Sequence, residues 1–377
     1  MGGMIWAACV QGAWAQKPFV QGARAIGRSG QALVSTQAAQ LEKKILRKSA
    51  QVWTGKELVD GINPLRNSVF CARAAKGTEA FSGGVFETVY NGKKEVYGFI
   101  ATHALTEEPH DRFEKEDAKY SLSRFFVLEM MDKEGVWRRI PAEVIQLSSI
   151  NTLDISLVKF LPEHEKLFTP LPLSSHVPGV GDMVQSQGFS QNIEGYIPHR
   201  RVIEISPISL RTEMPWPREP RRGFCGGVVV NNKYELVGVH TGSVAGPTPQ
   251  EDVAYATHAY FLNQLVDAYH RGGKTSIPLV LNGKKIFDLS VDESIEWASF
   301  YNKRGRKIKD YPFSLKFSFT SVEKFIREYQ PRYIQFSIGR LAWSTKKTEF
   351  LERIPHTRRL VYDWEKGALI ESLPAEN

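Results

Sequence analysis

Cysteine is scarce. The chain has three in 377 residues, at positions 9, 71 and 225, and no Cys-x-x-Cys pair. That excludes a disulfide-stapled scaffold and argues against a thiolate zinc site. Neither a metal nor a cofactor is expected. Long apolar runs are also missing: no stretch approaches 18 residues, so no membrane span is expected. Basic residues do not cluster. The 49 Lys and Arg against 41 Asp and Glu give a formal charge of +8 spread along the chain, without interleaved aromatics. This pattern fits a solvated surface biased toward acidic partners, and no nucleic-acid partner is expected.

What remains is globular composition, 42% hydrophobic and 24% charged, in a length that suits two or three domains. Residues 1–15 are apolar and end in Ala13-Trp14-Ala15 before Gln16, the form of a signal-peptidase site. They read as a truncated signal segment, which would place the protein in the periplasm, cell envelope or medium. The alternative is a disordered or partner-packed terminus. Residues 16–64 form a leader in which Leu33, Leu41, Ile45, Leu46 and Val52 predict an amphipathic helix over 32–52.

From Leu65 onward the pattern is that of strands. Asn91-Gly92 between two alternating runs predicts a tight hairpin. Further strands are expected at 125–130, 137–145 and 201–205, and a helix at 259–270 before the linker Arg271-Gly272-Gly273-Lys274. A first barrel is expected over 65–172 and a second over 173–242, in one domain of 65–272 that folds without the tail. The tail, 275–377, alternates strand-like runs with a helix beginning near a Ser321 cap, and reads as a small α+β domain of unknown role.

The chemistry concentrates in Gly223-Phe224-Cys225-Gly226-Gly227, followed by Val228-Val229-Val230, a polar turn, and Leu236-Val237-Gly238-Val239-His240-Thr241-Gly242. Glycines on both sides of a cysteine let the backbone bend and expose the sulfur, with nearby amides aimed at one pocket. The bland alternative is a buried cysteine on a glycine-rich turn. This stretch resembles Gly-Asp-Ser-Gly-Gly, the nucleophile motif of chymotrypsin-fold proteases, with cysteine for serine as in picornaviral cysteine proteases. Upstream, Ala101-Thr102-His103-Ala104 resembles the histidine motif of that superfamily. Asp154-Ile155-Ser156-Leu157-Val158 resembles its aspartate motif, and the stretch from Gly179 to Phe189 one of its strand pairs; Leu236-Val237-Gly238-Val239-His240 resembles the strand that follows the nucleophile in its HtrA-like and glutamyl-endopeptidase-like bacterial members. The order His, Asp, nucleophile is the chymotrypsin order.

The resemblance implies a mainly β, chymotrypsin-like double β-barrel and an endopeptidase acting on protein or peptide substrates. It implies a triad of Cys225, His103 and Asp154, with the amides of Gly223 and Cys225 as oxyanion hole. His240, fifteen residues beyond Cys225, falls where related enzymes line the S1 pocket for a P1 Glu or Gln, with Thr241 beside it. Glu219 competes, since an acid six residues before the nucleophile selects Lys or Arg in trypsin-like enzymes; Arg221 and Arg222 favour a P1 carboxylate. Two other functions fit the same motifs: a catalytically degenerate peptide-binding module, and a viral polyprotein-processing protease. Oligomeric state leaves no mark in the sequence.

Overall fold

A computed structural model of the chain describes residues 65–73, 80–105, 122–132, 134–190, 193–214, 223–246, 248, 251–273, 275–312, 319–343 and 351–373. The signal segment, Cys9 and the helix expected at 32–52 lie outside these residues.

The first six strands are β1 (Val69–Arg73), β2 (Ala80–Tyr90), β3 (Lys93–Ala101), β4 (Phe125–Met131), β5 (Trp137–Gln146) and β6 (Ile155–Phe160). Asn91 and Gly92 take the positive φ values of a two-residue hairpin, 48° and 77°, which pins the β2–β3 register. β4 alternates buried Phe126, Leu128 and Met130 with more exposed neighbours, the mark of a strand with one face in a core. The strands run in the order β1-β4-β5-β6-β3-β2, and pairing of β1 with β2 closes the ring. β7 (Leu171–Pro172) extends β2 in parallel.

The second ring contains β8 (Met183–Ser190), β9 (Ile193–Ile205), β10 (Ser209–Glu213), β11 (Val228–Val230), β12 (Leu236–Val244) and β13 (Val253–His258). It is a closed barrel in the order β10-β13-β12-β11-β8-β9. This corrects the expected end at Gly242: β13 pairs with both β12 and β10 and is the strand that closes the cylinder. Gly246-Pro247-Thr248-Pro249-Gln250 interrupts the apolar pattern and hides that return strand in the sequence. The protein is thus mainly β, a chymotrypsin-like double barrel.

A helix, Phe261–His270, follows with Leu262, Leu265 and Val266 buried. The tail is α+β. β14 (Ser276–Leu281) and β15 (Lys284–Ser290) form a hairpin. β16 (Glu293–Tyr301), β17 (Lys307–Pro312), β18 (Tyr333–Trp343), β19 (Leu351–Asp363) and β20 (Ala368–Ile370) form a sheet in the order β17-β16-β18-β19-β20. Its helix spans Phe319–Tyr329, so Ser321 lies inside the first turn and is not the cap. The helix begins earlier because Phe319 is itself buried on its apolar face.

Residues 65–377 belong to one compact unit. One hydrophobic core runs through Phe99 and Leu157 of the first barrel, Val228 and Leu236 of the second, Leu262 and Leu265 of the helix, and Ile277, Ile295 and Phe336 of the tail. Leu265→Ala removes buried methyl groups from that shared core and is expected to cost about 2–5 kcal/mol. Thermal unfolding should show a lower midpoint for barrels and tail together; an unchanged midpoint would contradict a shared core.

Candidate active site

Strand pairing assembles the first half of the site. Ala101 of β3 pairs with Ile155 of β6, so the residues that follow one strand and precede the other lie side by side. His103 sits in the 3₁₀ turn Thr102–Leu105, immediately after β3. Its backbone N–H donates to Asp154 Oδ1 at 2.9 Å, and its Nδ1 lies 2.8 Å from Asp154 Oδ2. Both carboxylate oxygens therefore engage one residue. The Asp154 side chain is fully buried, and that of His103 is 15% exposed. Nδ1 is the ring nitrogen that faces the carboxylate.

The turn that carries Asp154 is unusually well held. Asp154 has φ +56°, in the left-handed region that a β-carbon disfavours. The Ser149 carbonyl accepts the amides of Thr152, Leu153 and Asp154 at 3.1, 3.1 and 2.9 Å. Ser148 Oγ donates to the Ile155 carbonyl at 2.6 Å. Thr257 Oγ1 of the second barrel donates to the Leu153 carbonyl at 2.6 Å. The tail reaches the same turn: Ser149 N–H donates to the Val291 carbonyl, and Thr152 Oγ1 to the Glu293 carbonyl, both at 2.8 Å.

The second half is the cysteine loop. Gly226 N–H donates to the His240 carbonyl at 2.7 Å, His240 N–H to the Gly227 carbonyl at 2.8 Å, and Gly227 N–H to the Phe224 carbonyl at 2.9 Å. These bonds fix the loop on β12. The first barrel holds it from the other side through Ser82. Its N–H donates to the Cys225 carbonyl at 3.0 Å, and its Oγ donates to the Gly223 carbonyl at 2.6 Å. Ser82 Oγ also accepts Phe189 N–H at 2.7 Å. Gly226 has φ +92°, and a Cβ there would lie 1.9 Å from the Ser82 carbonyl oxygen and 3.1 Å from Ala101 N. Only glycine permits that approach, which sets the loop against the strand leading to His103.

The structure thus brings His103 and Asp154 into direct contact and lodges Cys225, 3% exposed, on a loop stapled to β2 and packed against the end of β3. Gly223 has φ +87° in that loop. His240 and Thr241 are both buried, and the His240 ring meets the edge of Phe224 at 5.3 Å. Glu219, Arg221 and Arg222 lie outside the described residues. Ser82, Thr152 and Thr257 are site supports that motif reading misses. Only the small-residue run Ser82-Gly83-Gly84 inside a strand hints at a close backbone approach. Among the described residues no group of His, Cys, Asp and Glu is placed to hold a metal, and no helix is long and apolar enough to cross a membrane.

No family model matches the chain, and neither does any curated protein. Solved structures overlap part of it. The MamO protease domain from Magnetospirillum magneticum is 17% identical with a TM-score of 0.37, covering 53% of this chain and 96% of that one. Deg5 is 13% identical with a TM-score of 0.38, covering 62% and 95%. The Rv3671c protease from M. tuberculosis in its active form is 13% identical with a TM-score of 0.38, covering 57% and 85%.

Cys71 provides an internal reference for Cys225. It sits in β1 within the core, and burial pushes its thiol up from the ordinary 9.0 to about 12. The thiolate is the reactive form, so folded protein at neutral pH should leave Cys71 unmodified by iodoacetamide, with reactivity appearing only as pH approaches that value. Peptide mapping by mass spectrometry checks this. Modification of Cys71 in the native protein as fast as in urea-unfolded chain would contradict its burial.

Proposed function

We propose that the protein is an endopeptidase that cleaves peptide bonds through a Cys225–His103–Asp154 triad and a thioester acyl-enzyme. The observation that carries this proposal is the two-point contact of His103 with the buried Asp154 carboxylate, on a strand end packed against the Cys225 loop. A histidine held at Nδ1 by a carboxylate is fixed in tautomer and orientation. Its Nε2 takes the Cys225 proton, and the thiolate attacks the scissile carbonyl. The amides of Gly223 and Cys225 stabilise the oxyanion. His103 then passes the proton to the leaving amine, and the C–N bond breaks. Water, deprotonated by the same histidine, hydrolyses the thioester and restores the thiol.

For specificity we favour Glu or Gln at P1, with His240 as the hydrogen-bonding partner of that side chain and Thr241 beside it. Support comes from the placement of His240 on β12, where its N–H and carbonyl are both bonded to the cysteine loop. A residue anchored in that way keeps its distance to the nucleophile.

Cys225→Ala should abolish peptide hydrolysis, a loss on the order of 10⁴-fold or more, with the fold intact by circular dichroism. Cys225→Ser should retain weak activity at most, because a hydroxyl ionises less readily and depends wholly on His103. His103→Ala should slow alkylation of Cys225. Full turnover by Cys225→Ala, measured with a quenched fluorescent peptide library, would overturn the assignment.

A further inference from the structure

The second barrel contains a charge that the proposed reaction does not use. Arg200, on β9, is completely buried. Its Nη1 donates to Ser186 Oγ at 2.5 Å, its Nη2 to Thr212 Oγ1, and its Nε to the Glu213 carbonyl at 3.3 Å. All three acceptors are neutral. Among the described residues no carboxylate lies within ion-pair distance of it; the neighbouring Glu213 side chain faces Arg201 instead, at 3.8 Å on the surface. Arginine is rarely buried without an anionic partner, because removing a cation from water costs several kcal/mol that neutral acceptors repay only in part. Burial draws its pKa down to about 9, which still leaves it charged at neutral pH.

Strand alternation puts this cation in the barrel interior, on the same side as His240. Val184, Val202, Leu210, Val229, Val237 and Ala256 form one cluster, which Val237 joins from the bulge in β12 just before Gly238. Ser186, Arg200 and Thr212 each lie two residues from a member of it on the same strand, and so share its face. A Cβ on Gly238 would meet Ala256 Cβ at 3.1 Å and Leu210 Cδ1 at 3.6 Å, so Gly238 also faces inward, and His240 follows it two residues on. Around the interior the register joins His240 to Ala256, Ala254 to Thr212, Ser186 to Val229, and Val229 to Gly238. The residues between His240 and Arg200 along β13 and β10 are thus Ala256, Ala254 and Thr212, two of them bearing only a methyl group.

The same interior continues to the nucleophile. Ala254 packs in a cluster with Ile197, Met214 and Phe224, the residue next to Cys225. Thr212, which pairs with Ala254, accepts the Arg200 hydrogen bond. Ala254, which packs with Phe224, is therefore the register partner of the residue that accepts the guanidinium's hydrogen bond.

We infer that Arg200 is a specificity-determining residue whose buried positive charge selects an acidic P1 side chain, glutamate over glutamine, in the pocket lined by His240. This rests on the peptidase proposal above and narrows it from Glu or Gln to Glu. His240 is the direct hydrogen-bond donor, and Arg200 is the counter-charge beneath it. In a low-dielectric interior a charge acts over several ångströms without direct contact. Glutamine offers the same shape and the same acceptor oxygen, but no charge to balance the guanidinium.

The test uses the full chain and two peptides that differ only in P1, Glu or Gln. The wild type should cleave the Glu peptide with a kcat/KM at least about tenfold higher, the scale of a buried charge pair. Arg200→Gln keeps hydrogen bonding to Ser186 and Thr212 while removing the charge, and should bring the ratio to about one. Arg200→Lys should restore part of it. A wild-type preference for Gln, or a ratio unchanged in Arg200→Gln, would overturn the inference. A second arm needs neither turnover nor a folded Arg200 variant. Product peptides ending in Glu or Gln are titrated calorimetrically into full-length Cys225→Ala. The Glu product should bind at least about tenfold tighter, and the ratio should persist from low to high salt because buried pairs are little screened. Equal affinities would overturn the role of Arg200. Absent turnover of every peptide with a retained Glu preference in binding would instead count against the peptidase proposal and leave Arg200 standing.

Discussion

The site depends on one close backbone contact, the approach of Gly226 to the carbonyl of Ser82. A Cβ at position 226 would lie 1.9 Å from that oxygen, so the approach exists only because the residue is glycine. The contact is where the cysteine loop of the second barrel meets β2 of the first. Ser82 closes it with its N–H on the Cys225 carbonyl and its Oγ on the Gly223 carbonyl. The same hypothetical Cβ would lie 3.1 Å from Ala101 N at the end of β3, two residues before His103. One missing side chain thereby sets how closely the Cys225 loop of one barrel approaches the strand that leads to His103 in the other, and in the proposed reaction that placement would decide whether thiol and imidazole meet.

The aspartate is held by a second constraint that reaches further. Asp154 takes a left-handed φ, which persists only where surrounding bonds over-determine it. Three amides on the Ser149 carbonyl, the Thr257 hydroxyl from the second barrel and the Val291 and Glu293 carbonyls of the tail supply those bonds. The tail is therefore continuous with the support of the site. Its core residues Ile277, Ile295 and Phe336 also belong to the cluster that contains Leu157 of β6, the strand that Asp154 leads into.

The elements that the sequence reveals are those governed by local rules. The Asn91-Gly92 hairpin, the period-two strands and the helix ending at His270 follow from turn chemistry and alternation. The pairing of His103 with Asp154 follows from motif resemblance, and the β3–β6 register gives it a physical basis. What stays hidden is long-range. β13 closes a barrel across a proline-containing loop, and nothing local marks its return. Ser82 is 141 residues from Gly223, and Thr152 the same distance from Glu293, so neither bond leaves a periodic trace. Arg200 sits in Pro198-His199-Arg200-Arg201, where it looks like any surface base; only the register shows that it points inward while Arg201 pairs with Glu213 outside.

The central claim is that Cys225 becomes covalently acylated with His103 as its base. Its most direct measurement is the intact mass of the full-length protein quenched in acid during turnover of a P1-Glu ester substrate. Acylation adds the mass of the acyl portion, and peptide mapping places it on the fragment containing Cys225. The adduct should be absent in Cys225→Ala and should form far more slowly in His103→Ala. An adduct that maps to Cys71, or one that forms equally fast without His103, would contradict the account.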